Sequence, residues 1–310
     1  MNDYVNIVEV GPRDGLQNEK NAISLADKIV LINQLAKAGL KHIEAGSFVS
    51  PRWVPQMADS ADVFKGIQRH DDVIYSALTP NLKGFEAALS AKADQVAIFA
   101  AASESFSQKN INCSIADSIE RFKPVIESAH KNKLKVRAYV SCILGCPYEG
   151  AIKPEQVIKV TEQLLGLGCY EVSLGDTIGV GTPFKTKALL SSMLNEFKPQ
   201  QLALHFHDTY GQALANQYVA LELGLRTFDS SIAGLGGCPY ATGASGNVAT
   251  EDFVYMLEGA GLKTGVDLNK LIMAGQTVCT ALSRVNNSNV SNAIGLLEIT
   301  PEANTTEGDQ

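Results

Sequence analysis

A chain of 310 residues that is 45% hydrophobic and 19% charged has the composition of a globular protein with a large core, and its length suits two domains or one α/β barrel. A net charge of −7 with no run of Lys or Arg argues against nucleic acid as a partner, and no apolar run approaches the roughly 20 residues of a membrane helix. Six cysteines in so long a chain point to reduced thiols in the cytoplasm rather than a disulfide framework.

The opening MNDYVNIVEV has no charged-then-apolar leader, so no signal or transit peptide is expected, and the closing TTEGDQ matches no anchoring or organelle signal. The first strand is NIVEV (6–10), followed by GPRDGLQNE with Arg13, Asp14 and Gln17. A helix is expected over 24–38: Ser24 is its N-cap, Leu25, Ile29, Ile32, Leu35 and Ala36 share one face, and Gly39 stops it. HIEAGSF (42–48) carries Glu44, and VIYSALT (73–79) and QVAIFAA (95–101) follow as strands. A helix over 115–131 leads to KVRAYVS (135–141) with Arg137 and Tyr139, and another over 154–166 leads to EVSLGDT (171–177) with Asp176. LALHFHD (202–208) carries His205 and His207, a helix spans 212–223, and TFDSSIAG (227–234) runs on toward Cys238 and Asn247 in GLGGCPYATGASGN.

Eight such units, joined by right-handed crossovers, predict a closed (β/α)8 TIM barrel over 1–285. A doubly wound open sheet is the alternative, but its glycine fingerprint is missing after the first strand. The segment 267–285 reads as an extra helix, and 286–310 as a polar, loosely held tail rather than a separate domain.

In this fold the chemistry belongs at the C-terminal ends of the strands, where polar residues accumulate in almost every unit. His205 and His207 are two apart, so on a strand they face the same way. A satisfied core pair is the plain reading of two histidines; with Asp14 on another strand end, a divalent metal site is the better one. An Asn247 carbonyl would turn that site toward a harder, six-coordinate ion such as Mg2+ or Mn2+. Arg13 is either a brace for the barrel rim or a stabiliser of an enolate or carboxylate, worth on the order of 3 kcal/mol in the transition state. Glu44 and Asp176 either orient ligands or move protons. Tyr139 reads as pocket wall. Cys113, Cys169 and Cys279 read as packing residues, and Cys142 and Cys146 form a C-x3-C pair with no zinc partners. GCPY occurs twice, so what singles out Cys238 is its glycine setting, which lets the backbone bend over the barrel mouth. A thiol of pKa near 8.5 can exchange a proton at neutral pH beside a cation.

VEVGPRDGLQNEKN, SFVSPRWVPQMAD, LTPNLKGFEAAL, ASESFSQKNINCS, YVSCILGCPYEG, CYEVSLGDTIGVGTP, HFHDTYGQALAN and GLGGCPYATGASGNVATEDFVYMLEG resemble, in the same order, the 3-hydroxy-3-methylglutaryl-CoA (HMG-CoA) lyase family. The resemblance implies cleavage of this CoA thioester to acetyl-CoA and acetoacetate. It puts a divalent cation on Asp14, His205, His207 and Asn247, enolate stabilisation on Arg13, and acid/base work on Cys238, with Glu44 and Asp176 in support. Asp176 or His205 would take the C3 hydroxyl proton, and Cys238 would protonate the acetyl-CoA carbanion. Arg13, Gln17 and Tyr139 are expected to contact substrate, and a homodimer is the family's assembly. The C-terminal tail resembles neither the vertebrate members' organelle signal nor their terminal cysteine. A Claisen-condensing synthase on the same barrel is the chief rival, but it normally adds a C-terminal domain. Amidohydrolase-type enzymes place H-x-H on the first strand rather than the seventh.

Overall fold

The computed structural model describes residues 3–237 and 246–299. Eight parallel strands pair in chain order: β1 (Asn6–Glu9), β2 (His42–Ser47), β3 (Ile74–Leu78), β4 (Gln95–Ala101), β5 (Lys135–Ser141), β6 (Glu171–Asp176), β7 (Leu202–Phe206) and β8 (Thr227–Ser230). β8 closes on β1, with Asn6 opposite Thr227 and Glu9 opposite Ser230. The helices between them are α1 (Leu25–Lys37), α2 (Ser60–Gly66), α3 (Leu82–Ser90), α4 (Glu104–Ile111), α5 (Ile115–Lys131), α6 (Pro154–Gly166), α7 (Pro183–Glu196) and α8 (Ala213–Glu222). After β8 come α9 (Thr250–Gly259), α10 (Leu268–Ala281) and α11 (Asn289–Ile299). The fold is the closed TIM barrel that the alternation predicts. No described helix is long and apolar enough to cross a membrane.

Strand alternation separates two environments. On β5, Val136, Ala138 and Val140 are buried in the main core, as are Leu202, Leu204 and Phe206 on β7. Residues of the opposite parity, Arg137, Tyr139 and His205, face the barrel interior, where Arg137 reaches Asp229 on β8. The interior can therefore carry charge, provided that each charge finds a partner.

Local chemistry sets the helix ends. Ser24 Oγ accepts the Asp27 N–H at 3.1 Å and caps α1, as expected. Leu25 is exposed, however, and Leu31 joins Ile32, Leu35 and Ala36 on the buried face instead.

Two expectations are corrected at the C-terminal end of the chain. The strand read over 227–234 stops at Ser230: Ser231 N–H bonds to Val248 O at 3.0 Å, and Ile232–Gly234 form a tight turn with Ala233 at φ +54°. The segment after Asn286, expected to be loosely held, is anchored at its start. Asp252 on α9 accepts the Ser288 hydroxyl at 2.6 Å and the N–H groups of Val290 (2.9 Å) and Asn289 (3.2 Å). A carboxylate thus caps the orphan amides that open α11.

Candidate active site

The mouth of the barrel is built first by the turn after β1. The carbonyl of Val10 receives the N–H groups of Asp14 (2.7 Å), Arg13 (3.1 Å) and Gly15 (3.2 Å), which wraps the chain into one wide helical turn. Glycine is required at its ends: a Cβ on Gly11 would lie 2.6 Å from Glu9 Oε1, and one on Gly15 would lie 2.7 Å from Leu235 Cβ. Arg13 leaves this turn into a net of acceptors. Its Nε and Nη2 reach Glu44 Oε2 at 2.7 and 2.6 Å, and its Nη1 reaches Asp14 Oδ1 at 2.7 Å. Tyr139 adds its hydroxyl to Glu44 Oε2 at 3.2 Å, and its ring lies 5.5 Å from the Arg13 guanidinium. Burial pushes the Glu44 carboxyl up against the opposing pull of Arg13.

His205, on β7, and His207, just past its end, turn their rings to the same side, with centroids 5.3 Å apart. Asp14, His205 and His207 each offer a donor atom within 4.8 Å of the other two. His205 Nε2 stands 3.9 Å from Asp14 Oδ2, and His207 Nδ1 is buried with no hydrogen-bond partner among the described residues. Burial and the neighbouring His205 hold His207 down to about 4, which leaves a neutral imidazole. Burial works against ionisation of Asp14, but Arg13 and the two histidines bring it down to about 2. Neutral imidazole and ionised carboxylate are the forms that bind a cation, so Asp14 and His207 stand ready for a divalent ion. Burial works against charge on His205 but Asp229 and Asp14 raise it, so it would give up a proton on binding one.

Asn247 is paired with His207 through a single antiparallel bridge. Its contact with the triad runs through nitrogen: Nδ2 donates to Asp14 Oδ2 at 2.9 Å and to Leu235 O at 3.2 Å. A carboxylate only accepts and so takes the N–H side of the amide; the carbonyl oxygen is the side that the sequence reading offers to a cation.

The triad opens into a cavity of about 810 Å3, bounded on the polar side by Arg13, Asp14, Gln17, Tyr139, His205 and His207. Val49, Leu78, Phe99, Phe106, Ile111 and Phe122 form apolar walls, and Trp53, Lys109 and Arg121 stand among the lining residues. Gln17 Oε1 is buried without a partner among the described residues. Asp176 does not line the cavity; it takes the N–H groups of Gly181 (2.7 Å) and Val180 (3.2 Å), and burial raises it to about 6 despite them. Glu44 sits behind Arg13 rather than on the cavity wall.

Cys238 lies outside the described residues. The two ends of its segment are in contact, since a Cβ on Gly246 would fall 2.3 Å from Gly236 O. Three ties hold that root. Glu251 accepts the Ala233 N–H at 2.9 Å, Asn287 N–H bonds to Ala233 O at 3.2 Å, and Glu19, paired with Arg284, accepts the Gly236 N–H at 3.2 Å. The other GCPY cysteine, Cys146, is buried beside Ala101, Phe106 and Cys142 and accepts the Ser103 hydroxyl at 3.0 Å.

One group near the triad escapes a reading of the sequence, and another sits deeper than expected. Asp229 on β8 lies against His205, and Arg137, expected at the mouth beside Tyr139, lies below it. Arg137 is sealed between Glu171 (Nε, 2.7 Å) and Asp229 (Nη2, 2.7 Å; Nη1, 3.1 Å). Arg137 and His205 together hold the Asp229 carboxyl well below the usual carboxylate range, although burial opposes them. The parity of DSS on β8 is the signal that points to it: Asp229 faces the interior, opposite His205 on β7.

The chain is similar to known proteins over nearly its whole length. The chain is 59% identical over 290 residues to the 3-hydroxy-3-isohexenylglutaryl-CoA/hydroxymethylglutaryl-CoA lyase of Pseudomonas aeruginosa, covering 94% of this chain and 97% of that one. It superimposes on a crystal structure of hydroxymethylglutaryl-CoA lyase from Pseudomonas aeruginosa with a TM-score of 0.94 at 58% identity, covering 96% and 99% of the two chains. An HMG-CoA lyase from Acinetobacter baumannii, solved with coenzyme A and 3-methylmalate, gives a TM-score of 0.90 at 39% identity over 99% and 98%. The HMGL-like family model matches residues 4–278, and the chain belongs to the HMGL-like family.

Proposed function

We propose that this protein is a carbon–carbon lyase that cleaves 3-hydroxy-3-methylglutaryl-CoA to acetyl-CoA and acetoacetate. The observation that carries the reading is the Asp14–His205–His207 triad beside Arg13 at the mouth of one large cavity, in a chain whose relatives bear this lyase's name. A divalent cation, Mg2+ or Mn2+, held by Asp14, His205 and His207 with Asn247 alongside, would polarise the substrate's C3 hydroxyl and carboxylate oxygens. Arg13 would meet the thioester oxygen as enolate charge develops there, its orientation kept by Glu44 and its charge shared with Asp14. Tyr139 and Gln17 line the same space and would contact the acyl group. Asp176 or His205 is the candidate acceptor of the hydroxyl proton; His205 lines the cavity, whereas Asp176, raised to about 6, stands behind the wall beside Gly175 and Thr177. Cys238 would return a proton to the acetyl-CoA carbanion from its glycine-flanked segment.

The ligand of the Acinetobacter relative supports a CoA thioester as the substrate class. The reading extends to a homodimeric cytoplasmic enzyme with its catalytic barrel in 1–285 and a tail in 286–310. The deciding assay is acetyl-CoA release from HMG-CoA before and after EDTA treatment. Activity is expected to vanish on chelation and return with Mg2+ or Mn2+; no release from the metal-loaded enzyme would overturn the assignment.

A longer branched 3-hydroxyglutaryl-CoA is the second reading. The Pseudomonas relative is named for an isohexenyl substrate as well, and Leu78, Phe99, Phe106 and Phe122 offer apolar wall for such a chain. The ratio of kcat/KM for the two thioesters decides between them. Condensing synthases are set aside because the relatives bear lyase names.

A further inference from the structure

Three groups converge on one oxygen beneath the triad. Asp229 Oδ2 faces Ser173 Oγ at 2.7 Å, Arg137 Nη1 at 3.1 Å and His205 Nδ1 at 3.2 Å, while Asp229 Oδ1 takes Arg137 Nη2 at 2.7 Å. The bidentate guanidinium keeps Asp229 a carboxylate, and a carboxylate can only accept. His205 must then carry a proton on Nδ1, so the nitrogen that can be freed to bind a cation is Nε2, which stands 3.9 Å from Asp14 Oδ2.

We propose that Asp229 is the positioning residue for His205: it fixes the ring's tautomer and rotation so that Nε2 is presented as a cation ligand. This rests on the reading of Asp14, His205 and His207 as the ligands of a divalent cation. The lever is the hydrogen bond from the imidazole to a carboxylate, which both aims the ring and raises the basicity of the far nitrogen. Arg137 and Ser173 keep Asp229 from turning away, and Tyr139 packs its edge against the His205 ring with centroids 6.0 Å apart. With one nitrogen on Asp229 and the other on the cation, His205 holds no exchangeable pair for the substrate. It is then a ligand rather than the acceptor of the hydroxyl proton.

The test is Mn2+ titration of the full-length protein by calorimetry, with Co2+ absorption spectra alongside, in the parent, Asp229→Asn, Glu171→Gln and His205→Ala. Glu171→Gln removes the other carboxylate from Arg137 without touching His205. Asp229→Asn is expected to weaken Mn2+ binding by about 10–100-fold and to shift the Co2+ spectrum, whereas Glu171→Gln leaves both within about 3-fold of the parent. Unchanged affinity and spectrum in Asp229→Asn, or an equal loss in Glu171→Gln, would overturn the assignment. Full Mn2+ affinity in His205→Ala would instead overturn the metal reading beneath it. Nitrogen-15 NMR of histidine-labelled, Mg2+-loaded parent protein decides the same question if Asp229→Asn does not fold: a proton on His205 Nδ1 supports the role, and one on Nε2 refutes it.

Discussion

Arg13 and Arg137 are two buried arginines that share one tyrosine. Each has its guanidinium near the ring of Tyr139, at 5.5 and 5.1 Å, and each is held by two carboxylates: Asp14 and Glu44 for Arg13, Glu171 and Asp229 for Arg137. Yet only Arg13 lines the cavity. Its partner Asp14 keeps 19% of its side chain exposed at the mouth, while Asp229 has none. The same ion-pair chemistry therefore serves two ends. One layer down it closes the interior; at the rim it holds a cation ready where substrate charge would develop. Access to the cavity, rather than charge or partner count, is what distinguishes the arginine proposed for the chemistry from its buried neighbour.

Removing Arg137 should do the greatest damage. Arg137→Met leaves Glu171 and Asp229 buried with no cation between them, a change that costs about 3–5 kcal/mol where a buried pair loses one member. Chemical unfolding of the purified variant should show that loss directly, and an unshifted midpoint would mean that water or a rotated side chain replaces the guanidinium. Arg13→Met should spare the fold more and the chemistry less. The expected result is a fall in kcat of about 10²-fold or more with Mn2+ affinity retained, the scale of losing one transition-state donor. A rise in KM alone would reduce Arg13 to a substrate anchor and erase the distinction between the two arginines.

The two GCPY cysteines extend the contrast from side chains to loops. Cys146 is enclosed by Ala101, Phe106 and Cys142 below Ser103, so Cys146→Ser should keep most activity. Cys238→Ser should lose at least about 10²-fold in kcat with metal binding intact, because a serine hydroxyl is a poor proton donor and acceptor near neutral pH. Thiol alkylation of the parent and of each variant checks the assignment, and an inactive Cys146→Ser beside an active Cys238→Ser would reverse it.

The strands are legible in the sequence because period-2 patterning is a local signal, and His205 and His207 are legible because two residues on a strand must share a face. Arg13 and Arg137 are not separable by the same rule: both face inward, and depth in the barrel is set by strand stagger, which residue types do not encode. Asp229 faces inward by its parity on β8, but its partners His205 and Arg137 lie 24 and 92 residues away in the chain and are not legible locally. The end of β8 is hidden because TFDSSIAG reads as one continuous strand. Its break depends on Ala233 adopting φ +54°, a conformation alanine seldom takes and which tertiary contacts with Glu251 and Asn287 sustain. The anchoring of α11 is equally hidden, since the carboxylate that caps it, Asp252, is 36 residues before Ser288 in the chain.

Glu9 and Glu251 complete the comparison, for they are buried carboxyls with no arginine beside them. Asp14 and Asp229 have cations and stay ionised; burial instead lifts Glu9 to about 7 and Glu251 to about 8, against the pull of their backbone hydrogen bonds. A carboxyl with a raised folded-state pKa binds its proton more tightly folded than unfolded. Its contribution to stability is therefore complete below the unfolded value near 4.5 and is lost as pH rises through about 8 for Glu251. Glu251→Gln removes this dependence while its amide oxygen can still accept the Ala233 N–H. Unfolding free energy measured from pH 5 to 9 should fall less steeply in Glu251→Gln than in the parent, with the smallest gap at pH 5 and the largest at pH 9. Glu9 carries its own slope in both proteins and so cancels from the gap. Parallel curves would mean that Glu251 stays ionised across this range and that the root of the Cys238 segment holds a buried charge without a cation.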